Sequence, residues 1–156
     1  MVEIKVKLDE GAYMPEKAHD VDAGFDLRTP ESFCLMPNNY IVIDTGVHME
    51  IPEGYCGLLV SKSGLNVKSD ITGTGLIDAG YTGSIKVKLD MGSGVDSWHM
   101  NVNERKYFNV NERKHFNFGD KIIQIIILPV PDVKLLQVDE LDETDRGDGG
   151  FGSTGR

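Results

Sequence analysis

Cysteine is scarce: the 156-residue chain has only Cys34 and Cys56, too few for a disulfide framework. Neither belongs to a C-x-x-C or Cys/His cluster of the kind that holds zinc. A reduced, cytoplasmic setting is the expectation. Positive charge is also short, with 16 Lys and Arg against 25 Asp and Glu for a net charge of -9. That balance argues against nucleic acid or an anionic membrane surface as a partner, and any bound phosphate must be gripped by local donors. Long hydrophobic runs are missing. The longest, residues 122–130, is interrupted by Gln124 and Pro129 and is too short to cross a bilayer, while residues 1–8 lack the apolar stretch of a signal peptide. No window carries a sustained 3.6-residue period beyond about one turn near residues 65–68, which weighs against an α/β fold.

What the chain does have is short runs of period two. Val2, Ile4, Val6 and Leu8 alternate with Glu3, Lys5 and Lys7, placing one face on a core and the other in water. Further strands are expected at 40–43, 47–51, 55–60, 85–89, 121–128 and 134–138, mostly separated by Gly, Pro, Asn or Asp. With 18 glycines to make turns, the pattern favours an all-β sandwich or jelly roll. The length suits one domain with its own core. We take residues 1–141 as that β domain and 142–156 as an acidic linker followed by a Gly-rich tail.

One internal repeat stands out: NVNERKYF at 101–108 is followed at once by NVNERKHF at 109–116. Eight is an even number, so a strand carrying both copies would keep each residue type on one face. The simplest reading is a tandem duplication enlarging a tolerant loop, since long loops cost little. The alternative is a displayed hairpin that binds a protein partner.

The last eleven residues, 146–156, hold five glycines, two arginines, Ser153, Thr154 and Phe151. Glycine N–H groups can approach an anion closely, Arg offers a fork of donors for phosphate, and Phe a flat face for a base. This composition outlines a lid over a nucleotide. Gly147 to Gly152 fits G-x-G-x-x-G, but neither a preceding strand nor a following helix accompanies it.

Four more segments complete a set: DAGFDL at 22–27, SKSGL at 61–65, GLIDAGYTG at 75–83 and GDKIIQ at 119–124. With RGDGGFGSTG at 146–155, they resemble, in number, order and wording, the five motifs of the homotrimeric dUTPase family. The resemblance implies an all-β jelly-roll (β-clip) barrel that assembles as a homotrimer with a flexible C-terminal arm crossing to another subunit. It also implies hydrolysis of dUTP to dUMP and pyrophosphate with Mg2+ as cofactor.

Roles carry over residue by residue. Asp78 matches the carboxylate that activates the attacking water, and Tyr81 the aromatic that packs under the sugar and excludes a 2'-hydroxyl. Gly75, Leu76 and Ile77 match the hairpin whose backbone reads uracil, and Lys86 a position near the nucleoside. Lys62, Ser63 and Gly64 match the phosphate-gripping turn, and Gln124 a donor on the α-phosphate side. Asp26 matches the carboxylate that supports the Mg2+ site. In the tail, Arg146 is assigned to the γ-phosphate and Phe151 to stacking on uracil; Ser153 and Thr154, beside Gly152, are assigned to phosphate oxygens.

Departures from the family pattern are specific. Lys62 stands where Arg is usual, keeping the charge but losing the bidentate fork. Ser84 replaces a frequent Glu, and Thr72 a frequent Asn beside the base. The stretch 96–117 is an insert such as some phage members carry. The nearest rival on this fold, dCTP deaminase, uses a Glu soon after the third-motif turn, whereas here Gly83 is followed by SIKVKL.

Overall fold

A computed structural model describes residues 2–92 and 113–149. Its elements are, in order, β1 (Lys5–Leu8), β2 (Phe25–Arg28), β3 (Phe33–Leu35), β4 (Asn39–Asp44), β5 (Val47–Glu50), β6 (Tyr55–Val60), α1 (Ser63–Ser69), β7 (Ile71–Thr72), β8 (Thr74–Ile77), β9 (Lys86–Met91), β10 (Lys114–Phe116) and β11 (Lys121–Pro129). The strands pair antiparallel into a four-stranded sheet β2–β11–β6–β8, a three-stranded sheet β4–β9–β7, and two ribbons, β1–β5 and β10–β3. Among the described residues this is an all-β protein with one short helix, as the turn-rich alternation requires.

The period-two reading explains most of it. In β9, Lys86 and Lys88 face water while Val87 and Leu89 are fully buried. Against them pack Leu27, Leu35, Ile43, Val47, Leu59 and Ile125, which form a single apolar core. β11 breaks strict alternation: a register shift between Lys121 and Ile123 buries both Ile122 and Ile123. Such a bulge inserts one extra residue, and here it leaves Lys121 and Gln124 both flanking Asp26 of β2.

Two expectations need correction. The segment 134–138 is not a strand. It carries no strand pairing among the described residues, and Leu135 is 92% and Leu136 71% exposed. The insert is also less detached than a loop: Lys114–Phe116, the end of the second octapeptide copy, pairs with β3, and Phe116 is buried in a stack on Phe33 with ring centroids 4.6 Å apart. The rest of the repeat lies outside the described residues.

A candidate nucleotide site divided between two ends of a sheet

At one end of the four-stranded sheet, three of the sequence segments meet. Asp26 of β2 is 6% exposed and lies directly across from Gln124 of β11. Lys62, just past the end of β6, places its ammonium on Asp26 Oδ1, and Lys121 approaches Oδ2 at 2.6 Å. Burial pushes the Asp26 carboxyl up, but the hydrogen bonds from Lys121 and Lys62 outweigh it and hold the group below its usual range. Asp26 is therefore ionised, and its negative charge is matched from both sides.

Gln124 lies over Gly24, where an added Cβ would sit 2.7 Å from Gln124 Oε1. Glycine is thus required in DAGFDL for the amide to occupy this place. Gln124 Nε2 contacts the carbonyl of Ser61 at 3.4 Å. Lys62 is the N-cap of α1 yet makes no side-chain cap, which leaves its ammonium for Asp26. Ser63 and Gly64, both exposed, open the helix, and their N–H groups have no carbonyl one turn behind them. Lys121 was not singled out from the sequence; its place in GDKIIQ, three residues before Gln124, was the signal for it.

The other end is built from β8 and the turn that follows. Among the described strands β8 pairs with β6 alone, so alternate backbone N–H and C=O groups along its other edge are left out of the ladder. Leu76 is exposed and Ile77 buried. The chain then turns, with Tyr81 N–H donating to the Asp78 carbonyl at 3.2 Å and Gly80 at φ 79°. The Asp78 side chain is exposed, and no ion pair among the described residues engages it. Tyr81, 45% exposed, donates its hydroxyl to the carbonyl of Ser84 at 3.0 Å. Its ring lies over Gly83, where a Cβ would meet the hydroxyl at 2.5 Å. Only glycine leaves room for the ring in that position.

Lys86 is held by Asp44, its register partner on β4, and Ser84 Oγ donates to the same carboxylate. Those two bonds, Lys86 first, bring Asp44 down to about 2. Lys86 thus has a partner within the β4–β9 ladder in addition to any part it plays at the nucleoside. Arg146 sits in the turn formed by residues 145–148 and donates from Nε to the Gly149 carbonyl at 3.1 Å. Phe151, Gly152, Ser153 and Thr154 lie outside the described residues.

The two ends are far apart in one chain. Asp26, Gln124, Val60 and Thr74 stand side by side across the sheet, while Asp78 follows the opposite end of β8. Three strand spacings across and four residues along put Asp26 and Asp78 about 20 Å apart. In a single chain the Asp26, Lys62 and Gln124 corner is therefore well separated from the turn that carries Asp78 and Tyr81.

The paired antiparallel sheets and ribbons place the chain in the all-β jelly-roll class. Within that class the chain belongs to the dUTPase family, whose model matches residues 10–155. It is 40% identical over 159 residues to the deoxyuridine 5'-triphosphate nucleotidohydrolase of Alkaliphilus metalliredigens, covering 99% of each chain. Among solved structures, the dUTPase of Staphylococcus bacteriophage 80alpha with dUpNHpp is 34% identical, covers 100% of both chains and superposes with a TM-score of 0.80. It is described among phage dUTPases that control transfer of virulence genes. A mutant dUTPase from phage phi11 of S. aureus, described with a structural Mg(II) ion, is 31% identical over 89% of this chain and 98% of its own, with a TM-score of 0.72.

Proposed function

We propose that this protein is a dUTP diphosphatase, acting in the cytoplasm, that hydrolyses dUTP to dUMP and pyrophosphate. Membership of the family along nearly the whole chain carries this reading. Asp78 draws a proton from a water, whose oxygen forms a new bond to the α-phosphorus. The bond from that phosphorus to the α–β bridging oxygen breaks, and pyrophosphate departs with the electron pair. Lys62, Ser63 and Gln124 donate to the phosphates, Arg146 to the γ-phosphate, and Phe151 closes over uracil with Gly152, Ser153 and Thr154 of residues 142–156. Tyr81 lies under the deoxyribose. The unladdered backbone at Gly75, Leu76 and Ile77 offers a fixed donor and acceptor pattern, which suits uracil and mispairs with cytosine.

The residues present suit Mg2+ in one particular way. Among those described there is no group of three His, Cys, Asp or Glu side chains able to cage a cation, and both oxygens of Asp26 are occupied by lysines. Mg2+ keeps several waters and is commonly held by one or two carboxylates plus substrate phosphates. Asp26 would then reach it through those waters. When bound, the ion would neutralise charge on the triphosphate and help orient it.

Because the two ends lie about 20 Å apart in one chain, we place each working site between subunits of a homotrimer, with the 142–156 segment reaching across. The test of the reaction is pyrophosphate release with Mg2+ from dUTP, dCTP, dTTP and UTP at equal concentration. Strong preference for dUTP is expected, and ammonia release from dCTP would overturn the reading in favour of a deaminase.

For the insert we propose a protein partner held by the repeat, supported by its anchorage: Phe116 fixes the second copy to β3. Deleting residues 101–108 spares that anchor, so turnover should persist while capture of a host or phage regulator is lost. Loss of turnover on this deletion would instead make the first copy part of the fold.

A further inference from the structure

His48 projects from β5 toward the loop that carries Tyr81, and its two ring nitrogens are both engaged. Nδ1 lies 2.8 Å from the carbonyl oxygen of Thr82, and Nε2 lies 3.0 Å from Asp9 Oδ2. A backbone carbonyl and a carboxylate can only accept, so both contacts are satisfied at once by the imidazolium, which donates from both nitrogens. The neutral ring has one N–H and must give up one of the two. The side chain is 18% exposed, and Asp9 is itself fixed, its N–H donating to the Gly46 carbonyl at 2.9 Å.

Thr82 separates Tyr81 from Gly83, over which the Tyr81 ring lies. We propose that His48 is a positioning residue for this loop: as the imidazolium it ties Thr82 to Asp9, and thereby sets the place of Tyr81 under the sugar in a proton-dependent way. This rests on the dUTP diphosphatase reading, in which Tyr81 contacts the nucleoside.

The charged and titratable groups around the ring set the balance between its two protonation states. Lys7 of β1, its register partner, opposes protonation but is drawn to Asp9 Oδ1 at 3.5 Å. Asp9 favours it. Tyr81 lies beyond Thr82, and the Lys86–Asp44 pair sits past Ser84 and is internally neutralised. The Asp9 hydrogen bond and then the Thr82 carbonyl raise His48 above its ordinary 6.5. A group raised in this way contributes fully below its ordinary value, and the contribution is lost as pH rises through the shifted one. The clamp is thus closed at pH 6 and released as pH rises through the shifted value.

The experiment compares wild type, His48→Gln and Asp9→Asn across pH 6 to 9, reading kcat and KM for dUTP and the affinity for dUpNHpp by calorimetry. Titrations of the substrate are common to all three and cancel in ratios. At pH 6, His48→Gln should raise KM and weaken dUpNHpp by about fivefold, the weight of one hydrogen bond, with kcat within about twofold. Near pH 9 the difference from wild type should vanish. Asp9→Asn should move the break in the wild-type profile to lower pH. A wild-type to variant ratio that stays constant across the range, or an effect confined to kcat, would overturn the proposal; so would an unmoved break in Asp9→Asn. Absence of dUTP turnover in the wild type would instead count against the diphosphatase reading, and the calorimetric comparison would still decide the role of His48.

Discussion

Asp78→Asn is expected to lower kcat for dUTP by about 10²- to 10⁴-fold, the range that a positioned general base contributes. Binding of dUpNHpp, measured by calorimetry, should stay within a few-fold of wild type. The substitution is nearly isosteric. The turn is held through the backbone of Asp78, which accepts from Tyr81 N–H, and the exposed side chain has no ion pair to lose among the described residues. The pocket thus persists while the only group assigned to draw the proton is gone. Pyrophosphate release at more than about a tenth of the wild-type rate would remove Asp78 from that role.

The second large effect follows from the distance between the two ends. Lys62→Ala alone should be nearly inactive through loss of phosphate contact, as Asp78→Asn is through loss of the base. When the two variants are unfolded together and reassembled at equal amounts, a site pairing an intact Asp78 from one chain with an intact Lys62 from another becomes possible. Random assortment gives about a quarter of the wild-type sites, provided each site draws on two chains. Recovery of activity near that level, measured as pyrophosphate release against separately refolded controls, is the expected result. No recovery, with mixed trimers verified by mass spectrometry, would place both residues in the same chain's site.

Much of this architecture was legible from the alternation of residue types. Residues 55–60 were expected as a strand and form β6 with those bounds; β4, β5, β9 and β11 match to within a residue or two at either end. The strands that escaped notice are those whose partners supply the reason for them. β8 has glycine in its middle and exposed Leu76, and its state is set by pairing with β6. β3 and β10 are three residues each, too short for periodicity, and are joined by a stack of two Phe rings. The reverse error at 134–138 has the same root, because alternation signals a strand without saying which chain supplies its edge. Its apolar side chains Leu135, Leu136 and Val138, like Val133 and Leu141 beside it, are mostly exposed.

At the site, the sequence pointed to Asp26, Lys62 and Gln124 as members of different motifs, and the sheet register brings them together. It did not reveal Lys121, whose reach to Asp26 depends on a bulge that pattern reading does not see. Nor did it reveal Asp44 or His48, which hold Lys86 and Thr82 from neighbouring strands. Supporting groups of this kind are separated in sequence by more than thirty residues from what they hold, so only the folded register relates them.

The carboxylate of Asp26, set between two ammonium groups, also bears on how readily the site empties. In the proposed reaction, a Lys62 ammonium that gives up a phosphate would find an internal oxyanion already in place to receive it, passing from one anionic partner to another without being stranded in a half-buried corner. Any phosphate taken up there would in turn have to compete with that built-in counter-charge.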